Sequence, residues 1–206
     1  MYIADGDNHR VQRFPPNSTT GTTVAGVTSS KTSALNNLDH LTSLLVDDDL
    51  NIYILDRHNE RVILWPPNAT QGIVLISSSL LKETQDILFL PNSTNQVYIS
   101  DPKNSKIYVW TFNESNANYT ISSVGSGSDS LNKQTGMALD PYGNLYVADT
   151  ENNRIVMYCA GSASGTVIAT GTSPSISKPT AVALDSNLNL YVVSKDSDTV
   201  IGLPRL

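Results

Sequence analysis

The stretch LYVADTENNRI, residues 145–155, decides the fold expected of this chain. Its first five residues alternate apolar side chains with a tyrosine and end at Asp149, as a β-strand entering a turn does. After TENN at 150–153, the segment RIVMYC at 154–159 has the composition of a second strand. Two such strands separated by four turn-forming residues predict a β-hairpin.

This hairpin belongs to a unit of four predicted strands. TGMALD at 135–140 precedes it across the turn PYGN, and GTVIAT at 165–170 follows it after AGSAS. β-Branched and aromatic residues bounded by Gly, Pro, Asn and Asp favour strands, and no apolar stripe of helical period is present. We therefore expect a four-stranded antiparallel meander.

The hairpin pattern occurs five times along the chain. The other copies are MYIADGDNHRV at 1–11, IYILDRHNERV at 52–62, VYISDPKNSKI at 97–107 and a weaker LYVVSKDSDTV at 190–200. Their shared tyrosines are spaced by 51, 45, 48 and 45 residues, a period that suits four short strands with their turns. The sequence predicts one repeat region, 1–206, with units at about 1–40, 41–84, 85–132, 133–178 and 179–206.

Each hairpin carries a polar signature that we interpret as structural. An Asp ending the strand can accept hydrogen bonds from turn amides, and Asn tolerates the left-handed conformation of a tight turn. A basic residue five positions later is expected to pair with the Asp at the surface, contributing about 0 to 1 kcal/mol. These pairs are Asp5 with Arg10, Asp56 with Arg61, Asp101 with Lys106, and Asp149 with Arg154. The fifth copy has Ser194, Ser197 and Thr199 instead of Asp, Asn and Arg, so we expect it to be the least stable unit.

The motif YVADTENNRI, preceded by an apolar strand and the Asp-x-x-Gly-Asn of residues 140–144, resembles the NHL repeat. The resemblance implies an all-β fold, a β-propeller of NHL-type four-stranded blades. About 4.5 blades are present, with three strands in the first and last units and four in each of the others. NHL propellers usually have six blades, so the resemblance implies that this chain is part of a six-bladed propeller.

Composition narrows the class of partner. The 206 residues carry a net charge of -6 and a single cysteine, Cys159, so no intrachain disulfide can form. No Lys/Arg cluster is present, and nucleic-acid binding depends on basic contacts to phosphates, so no nucleic-acid partner is expected. No apolar run reaches about 18 residues, so no membrane span is expected.

The search for catalytic or metal-binding residues yields no strong candidate. His9, His40 and His58 could hold zinc in principle, but we expect the two hairpin histidines to face solvent in neighbouring units. An NHL-like enzyme, peptidyl-amidoglycolate lyase, carries zinc-binding histidines at the starts of inner strands. The matching positions here are Thr42, Asp86, Thr135 and Thr180. We interpret the acidic run at 47–49 as a turn, and we predict no catalytic residue, metal or cofactor.

Five Asn-x-Ser/Thr sequons occur, at Asn17, Asn68, Asn92, Asn113 and Asn118. With 19 Asn and 44 Ser or Thr among 206 residues, chance predicts about four, so the number is not informative. Asn17 and Asn68 each follow a Pro-Pro turn that should be exposed. This position slightly favours an extracellular location and a glycoprotein.

The function predicted is a non-enzymatic binding scaffold that presents its hairpin loops to a protein or peptide. The candidate contact residues occupy the variable hairpin tips: Asp7, Arg57, His58, Lys103 and Glu151. One alternative is the substrate-recognition region of a ubiquitin ligase of the tripartite-motif NHL type. A second is a six-bladed propeller enzyme such as an amidoglycolate lyase or a lactonase. Open sheet edges also predict self-association.

Overall fold

The computed structural model describes residues 1–121, 130–171 and 176–205. These residues form 18 strands in five antiparallel sheets. Each sheet is made of strands that follow one another along the chain, so neighbouring strands are joined by local connections. The all-β prediction is confirmed, and so is the strand distribution, with three strands in the first and last sheets and four in each of the others.

The chain divides into two compact units. The first comprises Met1–Ile87 with Phe112–Asn116, and the second comprises Leu88–Thr111 with Ala117–Leu206. The first unit contains sheet 1, formed by β1 (Tyr2–Asp5), β2 (Arg10–Arg13) and β3 (Thr22–Gly26). It also contains sheet 2, formed by β4 (Ser43–Val46), β5 (Ile52–Asp56), β6 (Arg61–Trp65) and β7 (Ile73–Ser77).

The remaining strands form sheets 3, 4 and 5. Sheet 3 consists of β8 (Asp86–Phe89), β9 (Gln96–Asp101), β10 (Lys106–Thr111) and β11 (Tyr119–Ile121). Sheet 4 consists of β12 (Met137–Leu139), β13 (Leu145–Asp149), β14 (Arg154–Tyr158) and β15 (Gly165–Thr170). Sheet 5 consists of β16 (Pro179–Leu184), β17 (Leu190–Ser194) and β18 (Thr199–Leu203). In sheet 4 the predicted bounds of β13 and β15 are those observed.

The hairpins have the predicted register. The signature residues face each other across the strand pair: Asp5 and Arg10, Asp56 and Arg61, Asp101 and Lys106, Asp149 and Arg154. Four hairpins turn through a short 3-10 helix: Gly6–Asn8, Arg57–Asn59, Thr150–Asn152 and Lys195–Ser197. Another 3-10 helix, Ser79–Glu83, precedes β8.

The expectation that the signature asparagine adopts the left-handed conformation is wrong. The residue with positive φ is the next one along: His9, Glu60, Ser105, Asn153 or Asp198, with φ between 50° and 58°. The signature asparagine lies in the preceding turn, where its side-chain amide reaches back to the Asp. The hairpin therefore uses its asparagine as a hydrogen-bond donor and places the positive φ on a variable residue.

Each compact unit has its own apolar core. In the first unit, Val11, Leu38, Ile54, Ile63 and Trp65 belong to one buried cluster that joins sheets 1 and 2. In the second unit, one cluster contains Tyr98, Val109, Met137 and Tyr158, and another contains Ile155 and Val192. The aromatic residues at or near the ends of the third strands of sheets 2, 3 and 4 are buried: Trp65, Trp110 and Tyr158.

Candidate functional site

A buried carboxylate holds the hairpin of sheet 2 in place. Asp56 has no exposed surface, and its Oδ2 accepts hydrogen bonds from Arg61 Nε at 2.7 Å and Asn59 Nδ2 at 2.9 Å. Its Oδ1 accepts the Asp39 N–H at 2.7 Å, from the loop that leads into β4. Burial raises the pKa of Asp56, and these three donors oppose that rise. One side chain therefore ties the hairpin to the start of its own sheet.

Sheet 4 repeats this arrangement. Asp149, also fully buried, accepts Arg154 Nε at 2.7 Å, Asn152 Nδ2 at 2.9 Å and the Asn132 N–H at 2.7 Å. The Asn132 amide lies in the loop before β12, as Asp39 lies before β4. The same sequence signature thus produces the same hydrogen-bond network in both units of the chain.

The prediction that these Asp–Arg pairs lie at the surface is wrong for sheets 2 and 4. The loop before each inner strand covers the arginine, and backbone carbonyl oxygens of that loop accept hydrogen bonds from its other N–H groups. Arg61 donates to the Ser33 and Asn37 carbonyl oxygens, both at 2.8 Å, and Arg154 donates to Ser130 O at 2.9 Å. A buried ion pair that loses one partner leaves an uncompensated charge, so these pairs are far less dispensable than surface pairs.

The other hairpins vary the network. Asp5 in sheet 1 is partly exposed, and its hydrogen bonds with Arg10 and Asn8 hold the pKa of its carboxyl below the usual value. In sheet 3, Asp101 accepts Asn104 Nδ2 at 2.7 Å and the Tyr108 hydroxyl at 2.9 Å. Burial, together with Asp101, raises the pKa of Tyr108. Tyr108 therefore occupies the donor role that the sequence assigned to Lys106.

The five predicted contact residues all lie on hairpin tips and differ in exposure. Asp7 is 94% exposed, Lys103 is exposed, and Glu151 is also exposed, with its carboxylate 3.7 Å from Lys133 Nζ. Arg57 differs, because its guanidinium donates to Glu83 at 2.9 Å and to the Lys82 carbonyl at 3.0 Å. Arg57 thus braces the 3-10 helix before β8.

The first unit gathers all three histidines of the chain into one cluster, which we call the histidine patch: Asp7, His9, Asp39, His40 and His58. Asp39 Oδ1 lies 3.5 Å from both His9 Nδ1 and His58 Nδ1. His40 Nδ1 lies 3.5 Å from Asp7 Oδ1. The rings of His40 and His58 stack with centroids 4.7 Å apart. Two of the predicted contact residues, Asp7 and His58, therefore belong to a single surface.

His9 is the structural member of the patch. Its side chain is only 14% exposed, and its Nδ1 accepts the His40 N–H at 3.0 Å. His40 has φ of 48°, the left-handed region that non-glycine residues seldom occupy. His9 therefore fixes the backbone from which the His40 ring projects.

Sequence reasoning did not bring these histidines together. It placed His9 and His58 in turns of different units and His40 beside an inner strand. The sequence contained one indication of this cluster, since His9 and His58 occupy matching hairpins of successive repeats and His40 lies in the loop between them. In the structure, the His58 N–H donates to Asp39 O of that loop at 3.1 Å.

Two further features of the described residues bear on the sequence predictions. The acidic run at 47–49 forms a turn, in which Asp47 accepts the Asn51 N–H at 2.8 Å and Asn51 Nδ2 at 2.9 Å. Among residues 1–121, 130–171 and 176–205, no three His, Cys, Asp or Glu side chains are placed to hold a metal ion. In that same part of the chain, no helix is both long and apolar enough to cross a membrane.

A comparison of the sequence with models of known protein families finds a match within the repeat that forms sheet 4. The family model of the NHL repeat matches residues 135–158, which span β12, the sheet 4 hairpin and its buried Asp149–Arg154 pair. The chain therefore contains an NHL repeat. No curated protein matches its sequence.

Solved structures share the fold at low sequence identity. A streptogramin B lyase aligns with a TM-score of 0.64 and 10% identity, covering 100% of this chain and 65% of that one. A catalytically inactive histidine-to-alanine variant of virginiamycin B lyase from Staphylococcus aureus, with quinupristin, gives 0.64 and 10%, covering 98% and 65%. Selenomethionine-substituted virginiamycin B lyase from the same organism gives 0.54 and 12%, covering 80% and 55%. The NHL chain therefore spans about two thirds or less of the length of these structures, and at such identity the likeness concerns the fold alone.

Proposed function

We propose that this NHL chain is a binding scaffold that presents its hairpin tips to a protein or peptide partner. The observation that carries the proposal is the contrast between the hydrogen-bonded bases of the hairpins, most complete in sheets 2 and 4, and their variable tips. Buried Asp56 and Asp149 hold the base through three donors each, while exposed tips such as Asp7 differ from copy to copy. A rigid frame with variable exposed residues is suited to recognition, because little conformational entropy is lost on binding.

Several properties favour a protein or peptide over other partners. The tips carry charges of both signs, in Asp7, Lys103 and Glu151, and the net charge of the chain is -6. An acidic surface repels phosphate backbones and favours partners with exposed basic or mixed side chains. Coverage of only 65% of the lyase structures supports the further proposal that this region belongs to a larger, six-bladed propeller.

The experiment compares partner capture by the parent chain and by a tip variant carrying Asp7→Ala, His58→Ala, Lys103→Ala and Glu151→Ala. Arg57 is retained because it braces Glu83. A captured protein is identified and purified, and its Kd is measured for each form. We expect the tip variant to bind at least about tenfold more weakly, as for the loss of a hot-spot residue.

The matched control is Tyr142→Ala. Tyr142 is exposed and lies in the turn between β12 and β13, at the end of sheet 4 remote from its 3-10 hairpin. Circular dichroism verifies that both variants are folded. If Tyr142→Ala weakens binding while the tip variant binds like the parent, the hairpin tips are not the binding surface.

A further inference from the structure

We propose that the histidine patch accepts a lysine or arginine side chain of the partner at neutral pH and releases it in acid. This inference rests on the proposed function, since it names the partner's chemistry at one part of the hairpin surface. It draws on the charges, distances and exposure of Asp7, Asp39, His40 and His58.

The patch brings two carboxylates, Asp7 and Asp39, together with three imidazole rings. Asp7 is almost fully exposed, and Asp39 is partly exposed beside His9 and His58. The rings of His40 and His58 stack on each other, and the Nδ1 of each lies 3.5 Å from one of these carboxylates. Guanidinium groups stack on aromatic rings and pair with carboxylates, so this combination suits a basic side chain.

The arginines on the two hairpins of the patch are paired with carboxylates outside the patch. Arg57, on the same hairpin as His58, is paired with Glu83 at 2.9 Å. Arg10, on the hairpin of Asp7, is paired with Asp5 at 2.8 Å. Among the described residues, the groups recorded in contact with His40 and His58 are Asp7, Asp39, His9 and each other.

We expect acid to weaken the binding of a basic side chain, because histidine is the side chain that changes charge between pH 5 and 8. His40 Nδ1 and His58 Nδ1 each lie 3.5 Å from a carboxylate oxygen, so each proton gained creates an ion pair inside the patch. Protonation of these two rings takes the charge of the patch from -2 to zero. Both carboxylates then have internal cations, and the rings repel an incoming lysine or arginine.

The two more exposed histidines, His40 and His58, are the switch, and the less exposed His9 is not. His9 Nδ1 already accepts the His40 N–H, and a proton on that nitrogen would break this bond. A variant of His9 would therefore disturb the His40 backbone. The informative variants alter His40 and His58, whose Nδ1 atoms each lie 3.5 Å from a carboxylate oxygen.

The test measures fluorescence anisotropy of a rhodamine-labelled peptide, acetyl-Gly-Arg-Gly-Arg-Gly-amide, with the whole chain at low salt. We expect binding about fivefold or more weaker at pH 5.5 than at pH 7.5, the scale of two surface charge contacts. The same peptide with citrulline replacing arginine should bind weakly and independently of pH. Equal binding of the arginine peptide at both pH values, or equal binding of the two peptides, would overturn the proposal.

Variants assign the effect to the patch. His40→Gln with His58→Gln should bind at pH 7.5 and lose the pH dependence. Asp7→Asn should weaken binding at pH 7.5, whereas Glu151→Gln, which removes the same charge from the second unit, should leave binding and its pH dependence as in the parent. If the double histidine variant keeps the pH dependence, or if Glu151→Gln matches Asp7→Asn, the patch is not the site.

The peptide experiment on the patch and the partner-capture experiment on the scaffold can succeed or fail independently of each other. Failure of the peptide experiment alongside loss of partner capture by the tip variant would overturn cation recognition and keep the scaffold. Success with the peptide alongside unchanged partner capture would overturn the scaffold's tip surface and keep the patch as a cation site.

Discussion

The hairpins of sheets 4 and 5 perform the same task with different chemistry. In sheet 4, Asp149 binds the Asn132 amide and two side-chain donors. In sheet 5, Ser194 occupies the same position, where its Oγ accepts the Ser177 N–H at 2.7 Å and donates to Ser177 O at 2.8 Å. The serine keeps the link between hairpin and loop without burying a charge, and so needs no arginine.

The difference shows that the signature aspartate has two separate roles. One is to bind the loop before the inner strand, which an uncharged hydroxyl also fulfils. The other is to anchor Asn152 and Arg154, which makes a buried network of several donors around a single acceptor group. Sheet 5 has lost the second role, and Ser197 and Thr199 bond to each other instead, at 2.8 Å.

The largest expected effect comes from removing the acceptor in each sheet. Asp149→Ala should lower the free energy of unfolding by about 3 to 5 kcal/mol, because Arg154, whose side chain is only 12% exposed, loses its counter-charge. Ser194→Ala should cost about 1 to 3 kcal/mol, the range for leaving a buried polar group unpaired. Urea unfolding followed by circular dichroism measures both. Equal losses of stability in Asp149→Ala and Ser194→Ala would show that the buried charge of Asp149 adds no stability beyond the hydrogen-bonded link between hairpin and loop.

Hydrogen exchange compares the two hairpins in the parent chain. The amides of 190–203 should exchange about tenfold faster than those of 145–158, since sheet 5 lacks the buried network and local opening requires less free energy. Mass spectrometry of peptides from both segments gives the rates. Slower exchange in 190–203 would contradict the idea that the degraded copy is the weaker one.

Restoring the signature in sheet 5 should recover stability only when it is complete. Ser194→Asp with Ser197→Asn and Thr199→Arg should slow exchange in 190–203 and add about 1 kcal/mol. Ser194→Asp alone should destabilise, because the site is fully buried and the new carboxylate lacks its arginine. A single variant as stable as the triple one would refute the need for the complete network.

The smallest effect concerns the turn between the first two strands of sheet 5. Hydrogen bonds from the Asn189 side chain and backbone lower the pKa of Asp185 below 3.8. A lowered folded-state pKa means that the stabilisation is present above about pH 4 and lost as the pH falls through the folded value. Asp185→Asn should therefore melt below the parent at pH 6, with the gap closing towards pH 3. A Tm difference that is constant from pH 6 to pH 3 would exclude this contribution.

The sequence predicted the strands because their determinants are local. Alternating apolar residues and flanking turn formers gave 145–149 and 165–170 with the observed bounds, and the hairpin pairs had the observed register. The repeat of Asp-x-x-Asn-x-Arg is a local signal as well. Four copies of this signature, one of them with Lys in place of Arg, and a fifth hairpin without it recur at similar spacing, and so predicted the type of element, its connection and its repetition.

What the repeat could not reveal is which polar groups become buried. The Asp56–Arg61 pair is buried because a loop more than twenty residues earlier folds over it. The Ser33 and Asn37 carbonyl oxygens of this loop accept hydrogen bonds from Arg61. No local pattern marks that loop as an acceptor, since its contribution is made by backbone carbonyls that every residue has.

By itself, the sequence determined an all-β chain of repeated hairpins, because strand alternation and turn chemistry act over a few residues. Only the tertiary structure decided that His9, His40 and His58 share one surface with Asp7 and Asp39. These residues come from two hairpin tips and the loop between them. Their convergence depends on how sheets 1 and 2 pack through a common core, which is a property of long-range burial.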